Sequence, residues 1–176
     1  MRNPYLWKNQ GIMMYGENPK LSIASIMGAL AVEQQWMKLV KDDKKPYARL
    51  IDYLSSEWTI ENGNPSCSKN IATVKHYADC LGEKPSTVNK WLRQIYNDVF
   101  DLNEVHPELF VGRDEIMCSF EYSPSHKDGG FWFYLGCKCL PRVGDLFSFR
   151  FAWPLTNRTD FVVKEVLTDM KTGGWK

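Results

Sequence analysis

The sequence predicts an α+β fold: a helical N-terminal part, residues 1–112, followed by a small antiparallel β part, residues 113–176, barrel-like and built from four or five strands. Three observations predict it. Apolar residues recur at helical spacing through residues 21–102, the chain beyond Gly112 turns into short segments rich in aromatic and β-branched residues, and Pro107 and Gly112 punctuate the boundary. With 176 residues, 44% hydrophobic and 14% aromatic, the chain suits one ordinary domain or two small ones and is too apolar for global disorder.

A first helix is expected over residues 21–40, where Ile23, Ile26, Met27, Leu30, Met37 and Val40 approximate one face. After KDDKKP, Pro46 suits an early helical position, and Leu50, Ile51, Leu54 and Trp58 repeat at helical spacing for a second helix. IENGNPSCSKN reads as a loop because of its glycine, proline and small polar residues. Two more helices follow, over about residues 71–81 and 85–102. Strands are expected over residues 117–122, 131–139, 145–152 and 161–170, and the Asp128–Gly129 pair suits a hairpin. Alternation puts Phe147, Phe149 and Phe151 on one face as the β core, and sets Trp132 and Tyr134 opposite Phe131 and Phe133.

Charge and cysteine usage narrow the function classes. The formal net charge is +1, so attraction for a polyanion must come from a local basic face. Five cysteines, Cys67, Cys80, Cys118, Cys137 and Cys139, show no disulfide framework and read as reduced thiols of a cytoplasmic protein. MRNPYLWKNQG lacks the apolar run of a signal peptide, and the most apolar stretch contains Ser22, Ser25 and Gly28 and meets Glu33, so no membrane span is expected.

The segment VKHYADCLGEKPSTVNKWLRQI carries the functional signal. Val74, Tyr77, Ala78 and Leu81 share one side of a helix, and the small Ala78 lets a second helix cross closely. Gly82 can take the left-handed conformation that reverses the chain, and Pro85 has a fixed φ suited to the next helix's first turn. Val88, Trp91, Leu92 and Ile95 then form a buried stripe, leaving Ser86, Thr87, Asn89, Lys90, Arg93, Gln94 and Asn97 on the other face. No acidic residue lies between Lys84 and Gln94.

On Ala78, Leu81, Gly82, the PSTV of residues 85–88, Trp91 and Leu92, the chain resembles the helix-turn-helix family of bacterial DNA-binding proteins over about residues 74–93. It departs at Glu83, where the family usually has an aliphatic residue, and at Lys84, a weak N-cap. With LPRVGD and FVVKEV, the run WLRQIYNDVFDLNEVHPELF also looks like uncharacterised proteins of bacterial mobile elements that join such a unit to a β module. The resemblance implies a regulatory protein that binds double-stranded DNA. Ser86, Thr87 and Asn89 would face base edges, with Asn89 able to pair with adenine; Lys90, Arg93 and the neighbouring Gln94 complete the contact face, and Lys75 and Lys84 would hold phosphates. The β part is expected to mediate self-association or bind a protein partner. In the alternative reading, the helix-turn-helix is a protein-interaction or structural module packed on a partner or another subunit.

Other chemistry is set aside. Cys118, Cys137 and Cys139 lack zinc-site spacing and read as buried structural thiols. His76, His106 and His126 show no nucleophile or acid motif nearby, and no phosphate-binding or metallopeptidase motif is present. No catalytic residue, metal or cofactor is therefore expected. The basic cluster of Lys38, Lys41, Lys44, Lys45 and Arg49, interrupted by Asp42 and Asp43, reads as a solvated inter-helix loop that could add phosphate contacts if it lay beside the recognition helix.

Overall fold

A computed structural model of the chain describes residues 21–58, 60–61, 64–65, 72–122 and 131–166. It is a mixed helix and sheet structure with elements in the order α1 (Ile23–Val32), α2 (Gln34–Leu39), α3 (Ala48–Glu57), β1 (Ile60–Glu61), β2 (Asn64–Pro65), α4 (Val74–Leu81), α5 (Pro85–Val105), β3 (Ile116–Tyr122), β4 (Phe131–Cys137), β5 (Leu146–Ser148), α6 (Trp153–Thr156) and β6 (Asp160–Val162). Short 3-10 turns occupy Pro107–Phe110 and Arg150–Ala152.

The helix expected over residues 21–40 is two helices. Glu33 leaves helical geometry (φ −111°, ψ 52°), and its carbonyl accepts from the Trp36 and Met37 N–H groups to start α2. Trp36 and Met37 are both buried on the far side of this break. Burial presses on the Glu33 carboxyl, whose pKa is pushed up to about 7 against the opposing effects of Gln35 and Arg150. Pro46 lies in the turn ahead of α3, which starts at Ala48. Within the presumed loop, β1 and β2 pair antiparallel, Ile60 opposite Pro65 and Glu61 opposite Asn64; the rest of that segment, Cys67 included, lies outside the described residues.

Helix α5 has 21 residues, about 30 Å of axis, and is the central strut of the helices. It packs against α1, α2, α4, β4 and the Pro107–Phe110 turn. Val88, Leu92, Ile95, Tyr96, Val99, Phe100 and Asn103 are its buried side. The helix runs three residues past the expected end at Leu102, and the added turn brings in Asn103. That buried amide donates to the Tyr134 carbonyl (2.9 Å) and accepts from the Tyr134 N–H (2.8 Å), making the two bonds a further strand would make along β4.

The described strands close no barrel. β3 and β4 form an antiparallel pair in which Ile116 opposes Cys137 and Tyr122 opposes Phe131, and β5 and β6 form a separate pair from Leu146 opposite Val162 to Ser148 opposite Asp160. The strand expected over residues 145–152 stops after three residues, because Pro154 begins a helix at Trp153 and the chain before it winds into the Arg150–Ala152 turn. Rings join the two pairs where backbone bonds do not: Phe120 meets Phe147 at 4.5 Å between centroids, and Tyr122 meets Phe161 at 5.6 Å. The Asp128–Gly129 pair and residues 167–170 of the last expected strand lie outside the described residues.

Helical and strand-bearing segments share one core. Trp36 is ringed by Phe110 (5.6 Å), Phe133 (5.2 Å), Phe149 (6.3 Å) and Phe151 (5.3 Å), and the Tyr96 hydroxyl donates to the Phe151 carbonyl at 2.7 Å. Phe149 and Phe151 are buried as expected, but beyond the end of β5 and not by strand alternation, Phe151 lying in the 3-10 turn, while Phe147 on the strand itself is half-buried. Of the two pairs on β4, Phe131 and Phe133 face this core, while Trp132 is largely exposed.

Candidate nucleic-acid interface

The site begins at the start of α4, where Thr73 Oγ1 accepts from the His76 N–H at 3.3 Å and caps the helix. Tyr77 and Ala78 are fully buried on α4, which packs against α5. At the other end Gly82 adopts φ 70°, ψ 31°, the left-handed region that costs a Cβ-bearing residue. The Glu83 N–H donates to the Ala78 carbonyl (2.9 Å) and the Gly82 N–H to the Asp79 carbonyl (3.3 Å). This pair of backbone bonds satisfies the helix end without the aliphatic residue that Glu83 replaces. Lys84 offers no side-chain cap, but its carbonyl accepts from the Thr87 and Val88 N–H groups, with Pro85 opening α5.

Buried Val88, Leu92 and Ile95 fix the rotation of α5 and so fix what its outer face presents. Of the eight expected contact residues, Ser86, Asn89, Lys90, Arg93 and Gln94 line one open groove of about 750 Å³, shared with Asn97, Asp98 and Asp101. Lys75 and Lys84 are exposed outside that groove, and Thr87 is half-buried at the start of α5. The Oδ1 atoms of Asn89 and Asn97 are turned away from solvent and have no hydrogen-bond partner among the described residues.

The charge along the groove is graded. Its first turns carry Lys90 and Arg93, and its later turns carry Asp98 and Asp101. Asp98 is engaged by Lys45 Nζ at 2.6 Å and by the Tyr47 hydroxyl. This hydrogen bond and ion pair outweigh burial and push the Lys45 ammonium up to about 12. Burial, followed by the charges of Asp98 and Glu104, raises the Asp101 carboxyl. The basic loop therefore does touch α5, through a lysine whose charge is already matched. Lys41 is likewise taken by Asp52 at 2.7 Å, whereas Lys38, Lys44 and Arg49 are exposed.

Asn97 lies on the face expected for it, and Asp98 and Asp101 extend that face; their spacing after Arg93 and Gln94 was the available signal. Lys45 could not be placed from sequence, because its contact spans 53 residues. The three C-terminal cysteines are not buried as expected: Cys118 and Cys137 are half-buried and Cys139 is exposed. Burial, then the hydrogen bond to Cys118, pushes the Cys137 thiol up to about 12. Among the described residues no group of three or more His, Cys, Asp or Glu side chains is placed to hold a metal, and no helix is long and apolar enough to cross a membrane. The chain matches no known family model, no curated protein and no solved structure.

Proposed function

We propose that this protein is a cytoplasmic DNA-binding regulator that reads double-stranded DNA with α5 as the recognition helix of a helix-turn-helix, while the small β part serves self-association or a protein partner. The observation that carries the reading is the Gly82 corner followed by an outward, acid-free stretch of α5 bearing Ser86, Asn89, Lys90, Arg93 and Gln94. A helix of this width enters the major groove, and these side chains supply the donors and acceptors that base edges require. Ser86, Thr87 and Asn89 take base edges, Lys90 and Arg93 take guanine or phosphate, and Lys75 and Lys84 hold flanking phosphates. Asp101 repels phosphate and Asp98, already paired with Lys45, offers it no donor, which confines the DNA track to the first three turns of α5.

Fluorescence anisotropy with a random duplex pool at low salt tests the reading. Binding is expected, with Arg93→Ala and Asn89→Ala each costing about 1–3 kcal/mol on a selected site. Lys84→Ala is expected to weaken all sequences alike and to reduce the salt slope by about one. No binding at low salt would overturn the proposal. The acidic later turns of the same groove are what favours a second reading, docking of a basic protein segment on this face.

A further inference from the structure

Away from the α5 groove, three chemically active side chains meet across the α3 and α4 helices. The Tyr53 hydroxyl on α3 donates to Cys80 Sγ at 3.2 Å and lies 3.3 Å from His76 Nε2, and that nitrogen is 3.7 Å from the same sulfur. His76 and Cys80 are four residues apart on α4, which stacks them on one face. Cys80 is an exposed thiol, so a small reagent can reach it. The sequence reading found no nucleophile near any histidine; the structure corrects that at His76.

We propose that Cys80 is an oxidation site for hydroperoxides, with His76 and Tyr53 as its positioning residues. His76 Nε2 takes the thiol proton, and the Tyr53 hydroxyl donates to the anionic sulfur that results. The Tyr53 hydroxyl stays protonated for this role, its own pKa being pushed up to about 12, first by the hydrogen bond to Cys80 and then by desolvation. Glu57 and Tyr77 are the other titratable groups acting on Tyr53. The sulfur attacks one oxygen of hydrogen peroxide, an S–O bond forms as the O–O bond breaks, and hydroxide leaves with the electron pair. The imidazolium returns its proton to that hydroxide, giving water and a cysteine sulfenic acid; sulfur loses two electrons and the peroxide gains them. Burial sets the half-buried Cys137 apart from this behaviour, since it disfavours the thiolate there.

The site stands independently of DNA binding. To test it, the full chain is treated with hydrogen peroxide and a 1,3-diketone that traps sulfenic acids, and adducts at each cysteine are followed by peptide mass spectrometry. Cys80 is expected to react about tenfold faster than Cys118, Cys137 or Cys139. His76→Gln and Tyr53→Phe are each expected to slow Cys80 several-fold while leaving the reaction at Cys139 unchanged. The two variants are independent, so if one fails to fold the other decides. Reaction of Cys80 no faster than that of the exposed Cys139, or a Cys80 rate unchanged in a folded variant, would overturn the assignment.

Discussion

Asn103 is buried to 1% exposure and uses both ends of its amide on one residue of β4, Tyr134. Replacing it by alanine removes the side-chain partner of the Tyr134 N–H and of its carbonyl. Asn103→Ala is expected to lower stability by about 1–3 kcal/mol in urea unfolding, and a change below about 0.5 kcal/mol would show that the clip contributes little. Carried one turn further, the apolar stripe of Leu92, Ile95, Tyr96, Val99 and Phe100 has Asn103 at its centre, whereas Asn89 lies at its edge and Asn97 beyond it. What the stripe does not give is the partner of Asn103, because that contact spans 31 residues. The outer face of α5 is more legible, because Ser86, Lys90, Arg93 and Gln94 follow from the position of the apolar stripe alone.

At the scale of elements, the corner between α4 and α5 was legible because its determinants are local. Leu81, Gly82 and Pro85 specify where one helix stops and the next starts, and the observed ends agree with the sequence at both positions. At Gly82 an added Cβ would meet nothing within 4 Å, so the demand for glycine is conformational and not steric. Gly82→Ala is expected to cost roughly 1 kcal/mol in chemical unfolding, and a stabilising effect would show that the corner relaxes to another geometry. The α1–α2 break was not legible, since Glu33 is a good helix former and neither glycine nor proline marks the place. Its carboxyl carries a pH signature. With a folded-state pKa of about 7 against an ordinary 4.5, the folded protein holds its proton more tightly than the unfolded chain between those values. Stability from this group is full below about pH 4.5 and is lost as pH rises towards 7, by up to about 3 kcal/mol. Glu33→Gln is expected to flatten the dependence over that window, as read by thermal unfolding at several pH values; an unchanged slope would exclude Glu33 as its source.

For the whole molecule, the change of texture near residue 112 marks a change of secondary structure while the packing runs straight across it. Trp36, Tyr96, Phe100 and Phe110 come from before that point and Phe133, Phe149 and Phe151 from after it, yet they form one contiguous core. Alternation assigned Phe149 and Phe151 to a core, but it could not say that the core belongs to α5 and Trp36 as well, because periodicity reports which face is buried and not against what. The barrel failed for a related reason: β5 and β6 have three residues each, too few for a closing register, and ring contacts replace the missing ladder. This arrangement packs α5 against α1, α2, α4 and β4 and leaves one face of its first three turns open, the face on which the proposed DNA contact depends. The most direct test is amide chemical-shift mapping of the full chain as a short random-sequence duplex is added at low salt. The account predicts perturbations concentrated on residues 84–94 and on Lys75, fading by Asp98; perturbations confined to the β3–β6 strands, or absent altogether, would contradict it.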